Sequence, residues 1–327
     1  MKRSPGVFKG GREARGEEVA CVVAVESMGA AARWRYALKP ASWPKVFVPA
    51  VFGQVVGALV AGRLSGPALL WGVLWTAADI AFIVWLNDWG DREVDALKRR
   101  MFPRGCSPKT IPDGLLPARA VLGAGLGAGA LALGLAAVGG AGLGRPALLP
   151  LAALSLGIFV AYTLPPLRLN YRGGGELLEM VGVGGVLPAL HVYAQCGEGT
   201  PAFFLRWLPG LLALSLASAL ASGLSDEESD RAGGKRTFTT AWGNTRSRRV
   251  TEGLVGLGAL LWLVGGGVLA VPVVLFFGGR MLRRSAGAVT NAFAEQGAYK
   301  QELHRAIWWG TVVLAASLVL TGGRTPW

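Results

Sequence analysis

Asn87-Asp88-Trp89-Gly90-Asp91-Arg92-Glu93-Val94-Asp95 follows without a break on the apolar run 67–86, and Asp226-Glu227-Glu228-Ser229-Asp230 follows in the same way on the apolar run 206–224. Runs of about 20 apolar residues are long enough to cross a bilayer as helices. Carboxylates gathered at the mouths of such helices need a cation to hold. In a helical continuation Asp88, Asp91 and Asp95 stand at i, i+3 and i+7 on one face, and Asp226 and Asp230 repeat the arrangement at i, i+4. Two facing clusters of this kind suit Mg²⁺ held against a diphosphate, because hard cations take oxygen ligands and Mg²⁺ combines a few carboxylates with substrate phosphates. Solvated acidic loops are the plainer reading, but two spaced clusters at equivalent span ends argue against it.

Working outward, the 327 residues are 52% hydrophobic and only 16% charged, with 49 Gly, which excludes an ordinary soluble domain and indicates an all-α polytopic membrane protein. Nine candidate spans are read at about 45–62, 67–86, 116–138, 146–164, 175–195, 206–224, 249–264, 266–282 and 305–322. The last stretch before the ninth is almost continuously apolar and is divided at Gly265-Gly266-Gly267, since it exceeds one ordinary span. Residues 1–40 are polar, lack a signal-peptide core and read as a cytoplasmic extension, partly disordered, with an interfacial segment near Trp34 to Leu38. Residues 41–325 form the single membrane domain.

The net charge of +13 invites a nucleic-acid partner, but the positions of the charges answer it. With the N-terminus in the cytoplasm, all of the 33 Lys and Arg except Arg63, Arg145, Arg206 and Arg324 fall on that side. This is the positive-inside bias of a membrane protein, so the basicity belongs to topology and anionic lipid rather than to nucleic acid. The expected location is the inner or plasma membrane. Both acidic clusters follow even-numbered spans and share the cytoplasmic face, where one site can use both. Cys21, Cys106 and Cys196 have no metal-ligand spacing and suggest no disulfide framework. The sequence assigns no oligomeric state.

The ordered combination of Asn87-Asp88-x-x-Asp91-x-x-x-Asp95 with Asp226-x-x-x-Asp230 resembles the paired motifs of the UbiA superfamily of intramembrane prenyltransferases. The resemblance runs from about Lys39 to Leu320. It includes Pro108-Lys-Thr-Ile-Pro-Asp-Gly114, Tyr162-Thr-Leu-Pro-Pro-Leu-Arg168 and Gly233-Gly-Lys-Arg-Thr237. It implies a nine-span bundle with Asp-rich cytoplasmic loops that transfers a prenyl group from an isoprenyl diphosphate to a lipophilic or aromatic acceptor. Mg²⁺ would bridge the diphosphate to Asp88, Asp91 and Asp95 on one side and to Asp226 and Asp230 on the other. Asn87 would orient a ligand or a diphosphate oxygen. Lys109, Arg168, Lys235 and Arg236 are candidate diphosphate contacts, while Arg231, Lys98, Arg99 and Arg100 are either contacts or plain positive-inside residues. Glu93, Glu227 and Glu228 are expected to face solvent.

Tyr162 either touches diphosphate, or faces an allylic cation, or belongs to an interfacial aromatic belt. Asp79 stands two turns inside the second span, on the i, i+4 stripe Asp79, Ile83, Asn87, Asp91, and is read as facing the same cavity. Its alternatives are recognition of an acceptor hydroxyl, a basic partner, or a neutral structural acid. His191 and His304 read as packing and interfacial residues, and Glu176 and Glu179 as structural acids at a helix start. The glycine runs Gly123-x-Gly125-x-Gly127-x-Gly129 and Gly182-x-Gly184-Gly185 indicate close helix packing, not a phosphate loop. The motifs divide between quinone-precursor and ether-lipid relatives, which leaves the acceptor open. A membrane terpene cyclase using the same ionisation is an alternative, as is, from a different class, a cation-binding transporter. The last would favour ionisable groups at several depths.

Overall fold

The computed structural model describes residues 28–103, 109–198 and 201–322. Among them every regular element is helical, apart from one isolated parallel bridge between Arg172 and Arg236. Helix α1 (Ala30–Ala37) precedes α2 (Pro44–Val60), and α3 (Gly66–Gly90) leads into the short α4 (Arg92–Met101). α5 (Ala118–Gly142) and α6 (Leu148–Thr163) follow, and α7 (Gly175–Val181) passes through a π-helical turn over Gly182–Val186 into α8 (Leu187–Cys196). After the one-turn α9 (Ala202–Leu205) come α10 (Leu208–Ser222), the short α11 (Glu227–Ala232) and α12 (Phe238–Trp242). The chain closes with α13 (Asn244–Val264), α14 (Ala270–Ser285) and α15 (Phe293–Leu320).

Each of the nine apolar stretches falls on helix, but five helices among the described residues are long and apolar enough to cross a membrane, or six if a pair bent by 61°, Ala30–Ser42 with Pro44–Val60, counts as one. The five are Gly66–Gly90, Ala118–Gly142, Gly175–Cys196, Leu208–Ser225 and Phe293–Leu320. The shortfall has physical causes. α6 and α14 have 16 residues each, about 24 Å at 1.5 Å per residue, and α13 carries Arg246, Arg248, Arg249 and Glu252 in its first turns.

Two apolar clusters organise the bundle. One joins α3, α5, α6 and α8 around Trp75, Leu86, Leu148 and Leu190. The other joins α10, α13, α14 and α15 around Leu214, Trp262, Val274 and Leu303. α2 is the seam, sending Val46 and Ala50 to the first and Phe52 and Val56 to the second. The α3/α5 contact explains the glycine run in part. A Cβ on Gly125 would meet Leu86 at 2.8 Å and one on Gly129 would meet Phe82 at 2.7 Å, whereas Gly123 and Gly127 have open space there. Small residues therefore admit α3 on one stripe only. The division at Gly265-Gly266-Gly267 matches the break between α13 and α14, where Gly266 takes φ +87°.

The acidic motif does not continue as one helix. α3 stops at Gly90, Asp91 adopts φ −95° and ψ 3°, and a separate helix begins at Arg92. Gly90 lies so near Thr163 that a Cβ would meet its hydroxyl at 2.5 Å. Beyond it the sequence turns from apolar to charged, with Glu93 and Asp95 in the first turn of α4 and Lys98, Arg99 and Arg100 in the last. Both ends thus complement the helix dipole. The expected i, i+3, i+7 face is accordingly broken at Asp91, and the three carboxylates spread toward three different partners. α10 repeats the pattern: it ends in a turn, and Asp226 opens α11.

Residues 1–27, including Cys21, and the segment with Cys106 and Pro108 lie outside the described residues. The Trp34 region is helical, the Trp34 ring meeting Trp85 edge-on with centroids 5.4 Å apart.

Candidate functional site

A cavity of about 360 Å³ lies between the two clusters. Its deep walls are apolar, from Val46, Ile80, Ile83, Val84, Ile158 and Leu187, and its mouth is charged. Gly182 and Val183 of the π turn form part of the wall, a widening of the helix often found where a ligand surface is shaped.

At the mouth, Asp91 comes from the end of α3 and Asp226 and Asp230 from the start of α11, so both acidic motifs reach one space. Lys235 connects them. Its Nζ lies 2.9 Å from Asp91 and 3.8 Å from Asp230. Against the effect of burial, those two carboxylates raise the ammonium above its ordinary range. Asp230, the more distant of the pair, is pushed up to about 7 by burial and by neighbouring Asp226 and Asp91, with Lys235 opposing. Asp226 goes the other way: burial alone would raise it, but Lys98, at 2.5 Å, with Lys109 and Lys300 beyond, holds it below the usual carboxylate range. Lys98 also donates to the Ser225 carbonyl at 2.7 Å.

Asp88 and Asp95 do not line this cavity. Asp88 is buried, pairs with Lys39 and accepts from the Thr110 hydroxyl at 2.5 Å. Asp95 pairs with Lys109 at 2.7 Å and is raised by burial, with Lys109 opposing. The segment at 108–114 thus clamps the first motif through Thr110 and Lys109. Its Asp113 accepts from Arg99 Nε at 2.9 Å and from the Lys109 backbone at 2.6 Å.

Of the remaining expected residues, Asn87, Tyr162 and Asp79 are on the cavity wall, and the full stripe Asp79, Ile83, Asn87, Asp91 faces it. Tyr162 stacks on Phe159 with centroids 5.6 Å apart. Arg168 is turned away: it donates to the Gly90 carbonyl at 2.5 Å and covers the Tyr171 ring at 3.6 Å. Lys235 lies 4.8 Å from the same ring centroid. Arg236 has an exposed side chain, and its backbone N–H donates to the Tyr171 carbonyl at 3.1 Å. Gly233 brings α11 onto α4, where a Cβ would meet Val94 at 2.6 Å.

Several wall residues escaped the sequence reading. Lys39 and Lys45 were counted only as positive-inside charge, yet both line the cavity, Lys45 pairing with Glu179 and donating to Ser222 at 3.3 Å. Glu176 and Glu179, expected to be structural, are wall residues too. Asn170 donates weakly to Asp91 at 3.5 Å while its own buried Oδ1 has no hydrogen bond. Glu227 is a correction: it is 6% exposed rather than solvent-facing, because Thr290 donates to it at 2.8 Å and Arg231 at 3.1 Å. Glu93 is exposed as expected. His191 is a satisfied packing residue, bonded through both ring nitrogens to Gln54 at 2.8 Å and Thr76 at 3.0 Å.

Chlorophyll synthase, chloroplastic, of Oryza sativa subsp. japonica is 28% identical over 239 residues, 67% of this chain and 57% of that protein. The chain therefore spans less than three fifths of the length of that relative. A UbiA homolog from Archaeoglobus fulgidus, solved bound to DMAPP and Mg²⁺, shares the fold with a TM-score of 0.61 at 18% identity, over 85% of this chain and 97% of that one. The same homolog bound to GPP and Mg²⁺ also gives 0.61, over 86% and 99%. A family model described as the UbiA prenyltransferase family matches residues 46–298, from the start of α2 into α15, and the chain belongs to that family.

Proposed function

We propose that the protein transfers a prenyl group from an isoprenyl diphosphate to an aromatic quinone precursor or other lipophilic acceptor within the membrane, with Mg²⁺. The observation that carries this reading is a single cavity whose charged mouth is supplied by both halves of the bundle and whose depth is apolar. A diphosphate suits the mouth and a hydrocarbon chain suits the walls. The Archaeoglobus fulgidus relatives, with DMAPP or GPP and Mg²⁺, support the same assignment.

The residues fit the metal in kind. Among the described residues no ready group of three metal-ligating side chains is assembled, but Asp91 and Asp230 already share one cation, the Lys235 ammonium. All donors at the mouth are oxygens, as Mg²⁺ requires, and the buried Asn170 Oδ1 beside Asp91 lacks a partner. Asp91, Asp226 and Asp230, with Asn87, would hold the metal, and Asp88 and Asp95 complete the expected set from behind. Bound Mg²⁺ would neutralise the charge that develops on the departing diphosphate. Lys235, Lys39 and Lys45 would turn to diphosphate oxygens, giving preorganised positive charge. Lys109 and Arg168 would hold the first motif, and Arg236 would meet the diphosphate from outside. The Phe159/Tyr162 stack would face the allylic centre and help exclude water.

The reading includes nine spans, with the mouth and the Lys/Arg-rich connections on the cytoplasmic side of the inner or plasma membrane, and a domain of residues 41–325 behind an extension of residues 1–40. The test is calorimetric titration of purified protein with geranyl thiodiphosphate, with and without Mg²⁺. Tight binding only with the metal supports the proposal; metal-independent or absent binding overturns it. Mass spectrometry of lipid extracts after incubation with geranylgeranyl diphosphate and phenolic, naphthoic, glycerol-ether and chlorophyll-precursor acceptors then identifies the acceptor.

A further inference from the structure

Thr76 and Asp79 stand one turn apart on α3, inside the layer that crosses the membrane, and they are treated in opposite ways. Thr76 is 1% exposed and bonded to His191, which Gln54 bonds from the other side; Gln195 Nε2 in turn donates to Gln54 at 2.6 Å. That polar group is closed. Asp79 is 2% exposed and among the described residues has neither a hydrogen bond nor an ion pair, yet it lines the cavity. Ser155 on α6 is 8% exposed, lines the same cavity and likewise has no hydrogen-bond partner among the described residues. A buried polar group left without a partner is costly, so two opening into one apolar space indicate an occupant that supplies the missing bonds.

The occupant's chemistry follows from the groups. Asp79 lies eight residues before Asn87 on one helix, about 12 Å along the axis, too far to share a metal held at the mouth. Among the described residues no group of three metal-ligating side chains is assembled, and the cavity wall is apolar at Val46, Ile80, Ile83 and Leu187. A prenyl tail, hydrocarbon throughout, would leave the acid unsatisfied. A flat or compact apolar molecule carrying a hydroxyl satisfies it, the hydroxyl donating to Asp79, while the Ser155 hydroxyl can donate to or accept from a second oxygen. The geometry points to Asp79 and Ser155 as the polar end of an acceptor-binding subsite for hydroxyl-bearing lipophilic molecules. This rests on the prenyl-transfer reading for its meaning. A hydroxyl held by a carboxylate raises electron density on the attached ring, which extends from it toward the mouth. When the C1–O bond of the prenyl diphosphate breaks with its electron pair leaving on diphosphate, a ring carbon supplies the pair for the new bond to C1 as the hydroxyl proton passes to Asp79, and the resulting ketone tautomerises back to the hydroxyaromatic.

The experiment uses 1-naphthol and its methyl ether, 1-methoxynaphthalene, titrated into the detergent-purified full chain in the presence and absence of geranyl thiodiphosphate with Mg²⁺. Wild type should prefer the naphthol by about tenfold, the worth of one hydrogen bond to a charged group. Asp79→Leu should reduce that preference to under threefold and Ser155→Ala should leave it within twofold of wild type, since these probes carry one oxygen, while thiodiphosphate affinity stays within twofold. Asp79→Glu should retain a preference for the naphthol. Equal affinity for the two probes in wild type, or an unchanged preference in Asp79→Leu, would overturn the subsite. So would a parallel loss of thiodiphosphate binding, which marks Asp79 as structural. Failure of thiodiphosphate to bind wild type would instead strike the prenyl-transfer reading, since the naphthol preference is also measured without it.

Discussion

The five aspartates that look equivalent in the sequence are held in different ways, and their substitution should separate them. Asp91 and Asp230 face the cavity and share Lys235. Asp91→Asn or Asp230→Asn should lower turnover at least a hundredfold, a loss of transition-state charge stabilisation. Turnover within threefold of wild type in both would sink the two-cluster model. Asp88 is buried against Lys39 and Thr110 instead. Asp88→Asn should therefore also cost stability, about 1–2 kcal/mol for one charged hydrogen-bonded contact, read as a lower denaturation midpoint. What the sequence could convey about these residues was their presence and spacing at span ends. It could not convey the lysine assigned to each, because the pairs Lys39–Asp88, Lys98–Asp226 and Lys235–Asp91 join positions 49, 128 and 144 residues apart. Charge counting absorbs Lys39 into the positive-inside excess, while Lys235 reads as a diphosphate contact and Lys98 as either a contact or a positive-inside residue. Glu227 failed for the same reason: Thr290, its partner, is 63 residues away.

Element by element, the apolar runs were legible because hydrophobicity alone sets a span, and even the break at Gly265-Gly266-Gly267 could be placed by length. The stop after Gly90 was not, and neither was the close approach of Gly90 to Thr163 on another helix. The π turn Gly182–Val186 was equally hidden within an uninterrupted apolar stretch, where glycines suggested only close packing. The glycine run of α5 shows how far periodicity reaches: it marks a contact, but only the neighbour tells which half of the run makes it. Gly129→Leu should force α5 away from Phe82 and lower stability by about 1–3 kcal/mol through overpacking. Gly127→Leu, where a Cβ has open space, should leave stability unchanged or slightly raised through better helix propensity. Thermal unfolding of the two variants in the same detergent is the check, and equal destabilisation would show that both stripes of α5 are packed.

At the scale of the whole molecule, the boundary drawn at residue 40 divides the polar extension from the membrane domain, yet α1, on the extension side of it, packs on that domain. α1 places Trp34 against Trp85, buries Ala37 with Leu116 and Val121, and delivers Lys39 to Asp88 at the back of the first motif. Lys39 itself takes φ +47°, a left-handed conformation that a non-glycine residue adopts only when its surroundings hold it. Residues before Met28 and residues after it should then differ in consequence. A chain starting at Met28 should insert, bind geranyl thiodiphosphate with Mg²⁺ and turn over within twofold of the full chain. A chain starting at Pro40 keeps every apolar run but loses the edge-on tryptophan contact, worth about 0.5–1.5 kcal/mol beyond its burial, together with the cation that neutralises buried Asp88. It should insert, melt several degrees lower and bind the thiodiphosphate at least tenfold more weakly. Restoring only Trp34 and Lys39 within an otherwise alanine-substituted α1 should recover most of that affinity. If the Pro40 chain binds as tightly as the full chain, the site is complete without α1, and the extension boundary stands where the sequence alone would put it.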